Sequence, residues 1–158
     1  MGKIKEFLEK YKVILILFVY LVGMSYFLTQ SNHSNFMFYL MGLFFIIFSF
    51  FKVIHLPEFK SSFQKYDYFA KNIPFYGLLY PFIEIMLGIF FLLGLYINII
   101  SIITVVILSV TTIGIISQLR KGKILECACL GVVFKLPLSN VTIFENCTMI
   151  IMALIQIL

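Results

Sequence analysis

Residues 75–97 read FYGLLYPFIEIMLGIFFLLGLYI, an apolar run whose one charge is Glu84. A helix needs about 20 such residues to cross a hydrocarbon core about 30 Å thick. Stretches of the same kind lie at 13–29, 36–54 and 99–117. Another at 140–158 is interrupted by Glu145, Asn146 and Gln156. Counted from Ser139, an N-cap residue just after Pro137, it too is long enough to span. The expected fold is all-α: a single polytopic membrane domain over residues 1–158, with five helices near 13–29, 36–54, 75–97, 99–117 and 140–158.

Composition points the same way. Of 158 residues 62% are apolar and 12% charged, against roughly 45–50% and about 25% in soluble domains. A soluble chain of this length could not cover so much apolar surface, which leaves the lipid bilayer as its first partner. Lysines precede the first apolar run, as in a signal peptide. The segment Ser25-Tyr26-Phe27-Leu28 is too bulky for a cleavage site, so this run is expected to stay as an anchor helix.

All 12 basic residues fall on one side of a five-helix arrangement. Lys3, Lys5, Lys10 and Lys12 precede the first helix; Lys52, Lys60, Lys65 and Lys71 follow or end the second; Arg120, Lys121, Lys123 and Lys135 follow the fourth. The connections around 30–35 and 96–98 carry none. The positive-inside rule makes the charged side, with the N-terminus, cytoplasmic. The net charge of +5 is then a topology signal and gives no reason to invoke nucleic acid.

The run Cys127-Ala128-Cys129-Leu130-Gly131 lies in the connection between the fourth and fifth helices, hence on the cytoplasmic side. Thiols there are normally kept reduced, which suits a transient redox dithiol or a soft-metal site better than a structural disulfide. A Cys-x-Cys disulfide closes a small ring and is strained, hence comparatively oxidising. Lys121 and Lys123 favour the thiolates, and Glu126 opposes them. Two thiolates select Cu(I) over hard cations. Cys147, eighteen residues beyond Cys129, is a third ligand, a resolving thiol, or a small buried hydrophobe. Zinc wants more ligands than this connection supplies.

Glu84 sits about 9 residues, roughly 14 Å, inside its helix, close to the bilayer midplane. A carboxylate there faces the bundle interior, is protonated or is paired. Tyr76, Tyr80 and Glu84 recur at four-residue spacing and share one helix face. Such a face can relay a proton, donate hydrogen bonds to a quinone, or make a structural bond to a neighbouring helix. Pro81 removes one backbone hydrogen bond just before the acid. Lys52, in the last turn of its helix, is expected to snorkel to the headgroups; pairing with Glu84 needs a tilt or kink of the bundle to close the gap. His33 and His55 stand at helix ends without ligand-type neighbours at helical spacing. Ser101, Thr104 and Thr111 mark a packing stripe on the fourth helix. Residues 55–74, with Phe59, Phe63, Tyr66 and Ala70 between charges, read as an amphipathic segment in the headgroup layer.

Residues 42–95 resemble the DoxX-like membrane proteins: a helix opened by Gly42 and ended by Lys52, an aromatic linker, then Tyr80-Pro81-x-x-Glu84 followed by Gly88. Residues 127–146 resemble the MauE branch of that group, through Cys127-Ala128-Cys129-Leu130-Gly131, Ser139 and Glu145-Asn146. The resemblance implies a DoxX-like four-helix core with an added N-terminal helix, in the cytoplasmic membrane of a bacterium. It implies redox work beside a thioredoxin-like or metal-handling partner; in the MauE branch this is maturation of a periplasmic, disulfide-rich amine dehydrogenase of methylamine utilisation. The leading reading is a thiol–disulfide oxidoreductase component with Cys127 and Cys129 as dithiol and Glu84 and Tyr80 as proton or quinone-site groups. The alternatives are a Cu(I)- or mercury-binding component using Cys127, Cys129 and Cys147, and a structural subunit whose cysteines only pack.

Overall fold

The computed structural model describes residues 2–32, 35–122 and 139–158. Among them are seven helices: α1 (Gly2–Asn32), α2 (Phe36–Ile54), α3 (Leu56–Tyr66), α4 (Tyr68–Asn72), α5 (Tyr76–Leu93), α6 (Ile97–Arg120) and α7 (Ser139–Ile157). The chain is an all-α membrane helix bundle. By length and composition α2, α5 and α6 can each cross a membrane, and Leu15–Ser31 and Ile143–Ile157 form shorter apolar helical stretches.

The α5–α6 break falls at residues 94–96, earlier than the apolar pattern suggests. Gly94 adopts φ 66°, a left-handed cap that a Cβ would disfavour, and Tyr96 follows at φ 51°. The short reversal leads directly from α5 into α6, and both helices contribute to one core.

Two glycines set the centre of the bundle. A Cβ on Gly42 of α2 would stand 2.8 Å from the Gly88 carbonyl oxygen of α5, and a Cβ on Gly88 would stand 2.9 Å from that of Gly42. The two backbones therefore touch where neither helix has a side chain, the close approach that small residues permit in membranes. Around this crossing Met41, Phe45, Leu87, Phe91, Ile100, Leu108, Met149 and Ala153 form the main core, drawn from α2, α5, α6 and α7.

Hydroxyl and amide groups tie α6 to α7. Asn146 Nδ2 donates to Thr112 Oγ1 at 3.1 Å, and Ser101 Oγ donates to Gln156 Oε1 at 3.2 Å. Asn146 and Gln156, which interrupt the apolar pattern of the last helix, thus face the bundle where polar atoms find partners. Helix α1 packs on α2 through Leu21, Leu40 and Phe48, while its Leu15, Val19, Tyr26 and Phe27 stay exposed. That exposed face suits lipid.

Candidate functional site

Glu84 is buried, and so is Lys52. Lys52 Nζ donates to Glu84 Oε2 at 2.5 Å, and Ser49 Oγ donates to the same oxygen at 2.9 Å. The two charged side chains are only 8% and 4% exposed. Lys52 therefore does not snorkel to the headgroups, and the reason is geometric.

On α2, Lys52 lies ten residues beyond the Gly42–Gly88 crossing, about 15 Å along the axis; on α5, Glu84 lies four residues before it, about 6 Å. An axial gap of about 9 Å remains. Helical side chains lean toward their own N-terminus. For Lys52 at the end of α2 that means back into the membrane, and for Glu84 on antiparallel α5 it means outward. The two lean toward each other and meet, with Ser49 one turn inside Lys52 on the same stripe.

Aromatic rings close the site. Lys52 Nζ stands 5.2 Å from the Tyr80 ring centroid and 5.6 Å from that of Phe59, within cation–π range. Phe63 packs against Tyr80 at 4.4 Å between centroids and against Phe59 at 5.1 Å. Phe59, Phe63, Ala70 and Tyr80 form one buried cluster, with Tyr76 at its edge. The amphipathic segment expected in the headgroup layer thus turns its aromatic face to protein, because that face covers the charged pair.

The segment is two helices and not one, because Asp67 interrupts it. Asp67 Oδ1 accepts from the backbone N–H of Phe69 and of Ala70, each at 3.0 Å, and so caps α4. Its other oxygen, Oδ2, accepts from Thr111 Oγ1 of α6 at 3.2 Å. Asp67 is itself buried. One carboxylate thereby starts a helix and fastens it to a spanning helix.

Of the site residues expected from sequence, the structure brings Glu84 and Tyr80 together with Lys52, where the middle of α5 meets the last turn of α2. The Tyr80 side chain belongs to the cover, and Tyr76 lies one turn outside it. Cys127 and Cys129 lie outside the described residues. Cys147 is a free thiol, exposed on α7 and not buried as a small hydrophobe. Among the described residues no three His, Cys, Asp or Glu side chains gather to hold a metal ion. Sequence reading passed over Ser49, Asp67 and the covering role of Phe59 and Phe63. The available signal was the stripe Gly42, Ser49, Lys52 facing Gly88 and Glu84: reading the glycines as a crossing sets the register of everything else.

A family model described as methylamine utilisation protein MauE matches residues 30–158. No curated protein and no solved structure matches the chain. The matched region takes in α2 through α7, with Ser49, Lys52, Asp67 and Glu84, and leaves out all but the end of α1. With its long apolar helices, the chain is an integral membrane protein that belongs to the methylamine utilisation protein MauE family.

Proposed function

We propose that this protein supports thiol–disulfide exchange during maturation of partner proteins, with Cys127 and Cys129 as its dithiol. The observation that carries the reading is where the connection bearing them attaches. Helix α6 ends at Arg120 and α7 begins at Ser139. Thr111 binds Asp67 and Asn146 binds Thr112, so these helix ends belong to the end of the bundle that holds Lys52 and Glu84. What supports the reading is that both helices flanking the connection at 121–138 contact the side of the bundle that carries the Lys52–Glu84 pair.

In this reading one cysteine thiolate attacks a partner disulfide, forming a mixed disulfide and releasing one partner thiolate. The second cysteine displaces the first bond. The partner leaves as a dithiol carrying two electrons and, from solvent, two protons; Cys127 and Cys129 are left as a disulfide. A thioredoxin-type dithiol reduces it again, and the strain of the small ring favours that return. Glu84 and Tyr80 serve as proton-handling groups at the same end. The basic connections orient this end to the cytoplasm of a bacterial inner membrane.

The test is mass-tagged maleimide labelling of Cys127 and Cys129 in sealed, sided vesicles, with and without a thioredoxin-type dithiol. Cycling between two free thiols and a disulfide on the cytoplasmic face is expected. Partner disulfides unchanged by Cys127→Ser and Cys129→Ser would sink the reading.

A further inference from the structure

The described structure holds a device that the cysteine chemistry does not require. Helices α3 and α4 do not span; they lie across the end of α2 and α5 where Lys52 and Glu84 meet. Their inner face is Phe59, Phe63 and Ala70, all buried, stacked on Tyr80. Their outer face carries exposed Ser61, Lys65, Tyr68 and Lys71. Both attachments are short and non-helical: His55 at φ −111° and ψ 42° on the α2 side, and Ile73 at φ −124° and ψ 94° on the α5 side. Such junctions can absorb a backbone rotation without unfolding either neighbour.

A polar tie from this pair of helices to α6 is the Thr111 hydroxyl, which lies 3.2 Å from Asp67 Oδ2 and 3.1 Å from the Ile107 carbonyl oxygen of its own helix, so that its one proton is shared between the two acceptors. The Asp67 bonds to Phe69 and Ala70 are internal to α4 and would survive its movement. Phe59 and Phe63 stack on Tyr80, with the Lys52 ammonium over Phe59 and Ile107 of α6 packed against the cluster.

We propose that α3 and α4 form a hinged lid, latched by Asp67 on Thr111, that controls entry of water to the Lys52–Glu84 pair. Closed, the lid keeps the pair dry, where its attraction is strong; open, it lets water in and weakens that attraction. The lid goes beyond the dithiol reading and does not rest on it.

The experiment places a single reporter cysteine at Ser49 in the full-length chain with Cys127, Cys129 and Cys147 replaced by serine. Ser49 is buried beside Glu84, and Ser→Cys is close to isosteric. A water-soluble maleimide in membrane vesicles reads how often water reaches the site; S61C, on the exposed face of α3, is the accessible reference. S49C is expected to label at least about tenfold more slowly than S61C. T111V should speed S49C labelling by about tenfold or more, the population change that follows loss of one hydrogen bond to a charged group. T111S, which keeps the hydroxyl, should restore slow labelling. D67N, which keeps a side-chain oxygen for the α4 cap, is the second latch variant, so the test stands if T111V fails to assemble. Hydrogen exchange should rise in residues 59–72 of either latch variant and stay unchanged in the core of α6. S49C labelling as fast as S61C in the latched protein, or a rate indifferent to T111V and D67N, would overturn the lid.

Discussion

Removing one charge of the Lys52–Glu84 pair should cost far more than removing both. At 2.5 Å the two groups attract by about 7 kcal/mol with an effective dielectric constant near 20. Withdrawing each ion from water costs several kcal/mol, so the intact pair is close to break-even. Once one partner is gone, the survivor stays buried without its counter-charge. E84L leaves the Lys52 ammonium with the Tyr80 and Phe59 rings, worth about 0.5–2 kcal/mol each. K52M leaves the carboxylate with the Ser49 hydroxyl. Each single change should therefore destabilise by about 3–5 kcal/mol, and the double variant K52M/E84L by about 1 kcal/mol or less. The coupling energy of the cycle is then about 5 kcal/mol or more, well beyond the roughly 0.6 kcal/mol average of polar contacts between membrane helices. The assay is reversible unfolding in mixed micelles, followed by helical signal for the four proteins of the cycle. Additive single effects below about 1 kcal/mol each would refute a buried, mutually dependent pair.

The glycine crossing and the aromatic cover each make a contrast that the same assay reads. Gly88→Ala places a Cβ 2.8 Å from Ile46 Cγ1 and 2.9 Å from a backbone oxygen, and should destabilise by about 1–3 kcal/mol. Gly23→Ala on α1 meets nothing within 4 Å and should be neutral or stabilising by up to about 1 kcal/mol; equal effects at the two sites would refute the close approach. Phe63→Ala removes a ring that is 0% exposed and should cost about 3–5 kcal/mol. Phe144→Ala removes one that is 70% exposed on α7 and should stay within about 1 kcal/mol, measured side by side in the same micelles.

The membrane class and the helical stretches were legible in the sequence because lipid imposes a local rule. Backbone polar groups must be satisfied within the segment, so each long apolar run has only the helix available. Glu84 stood out for the same reason: a carboxylate in an apolar run has to be explained. Its partner was harder to find. Lys52 alone satisfies a snorkelling pattern, and only the Gly42–Gly88 contact fixes how far α2 slides along α5 and so which residues meet. Residues 55–74 show a similar limit. Their helical spacing marks an apolar face, but a periodicity cannot say whether that face meets lipid or protein, and Asp67, which divides the segment by capping α4, also reaches Thr111, forty-four residues away.

Composition and spacing within single segments were enough to make this chain a bundle of helices in a bilayer, to show where its charges lie along the chain and to single out the acid that is out of place. The tertiary structure alone decided that Lys52 and Ser49 meet Glu84, that Phe59 and Phe63 cover them and that Asp67 latches the cover. Each of those contacts joins segments whose relative depth and rotation are set by packing, which no single stretch of the chain encodes.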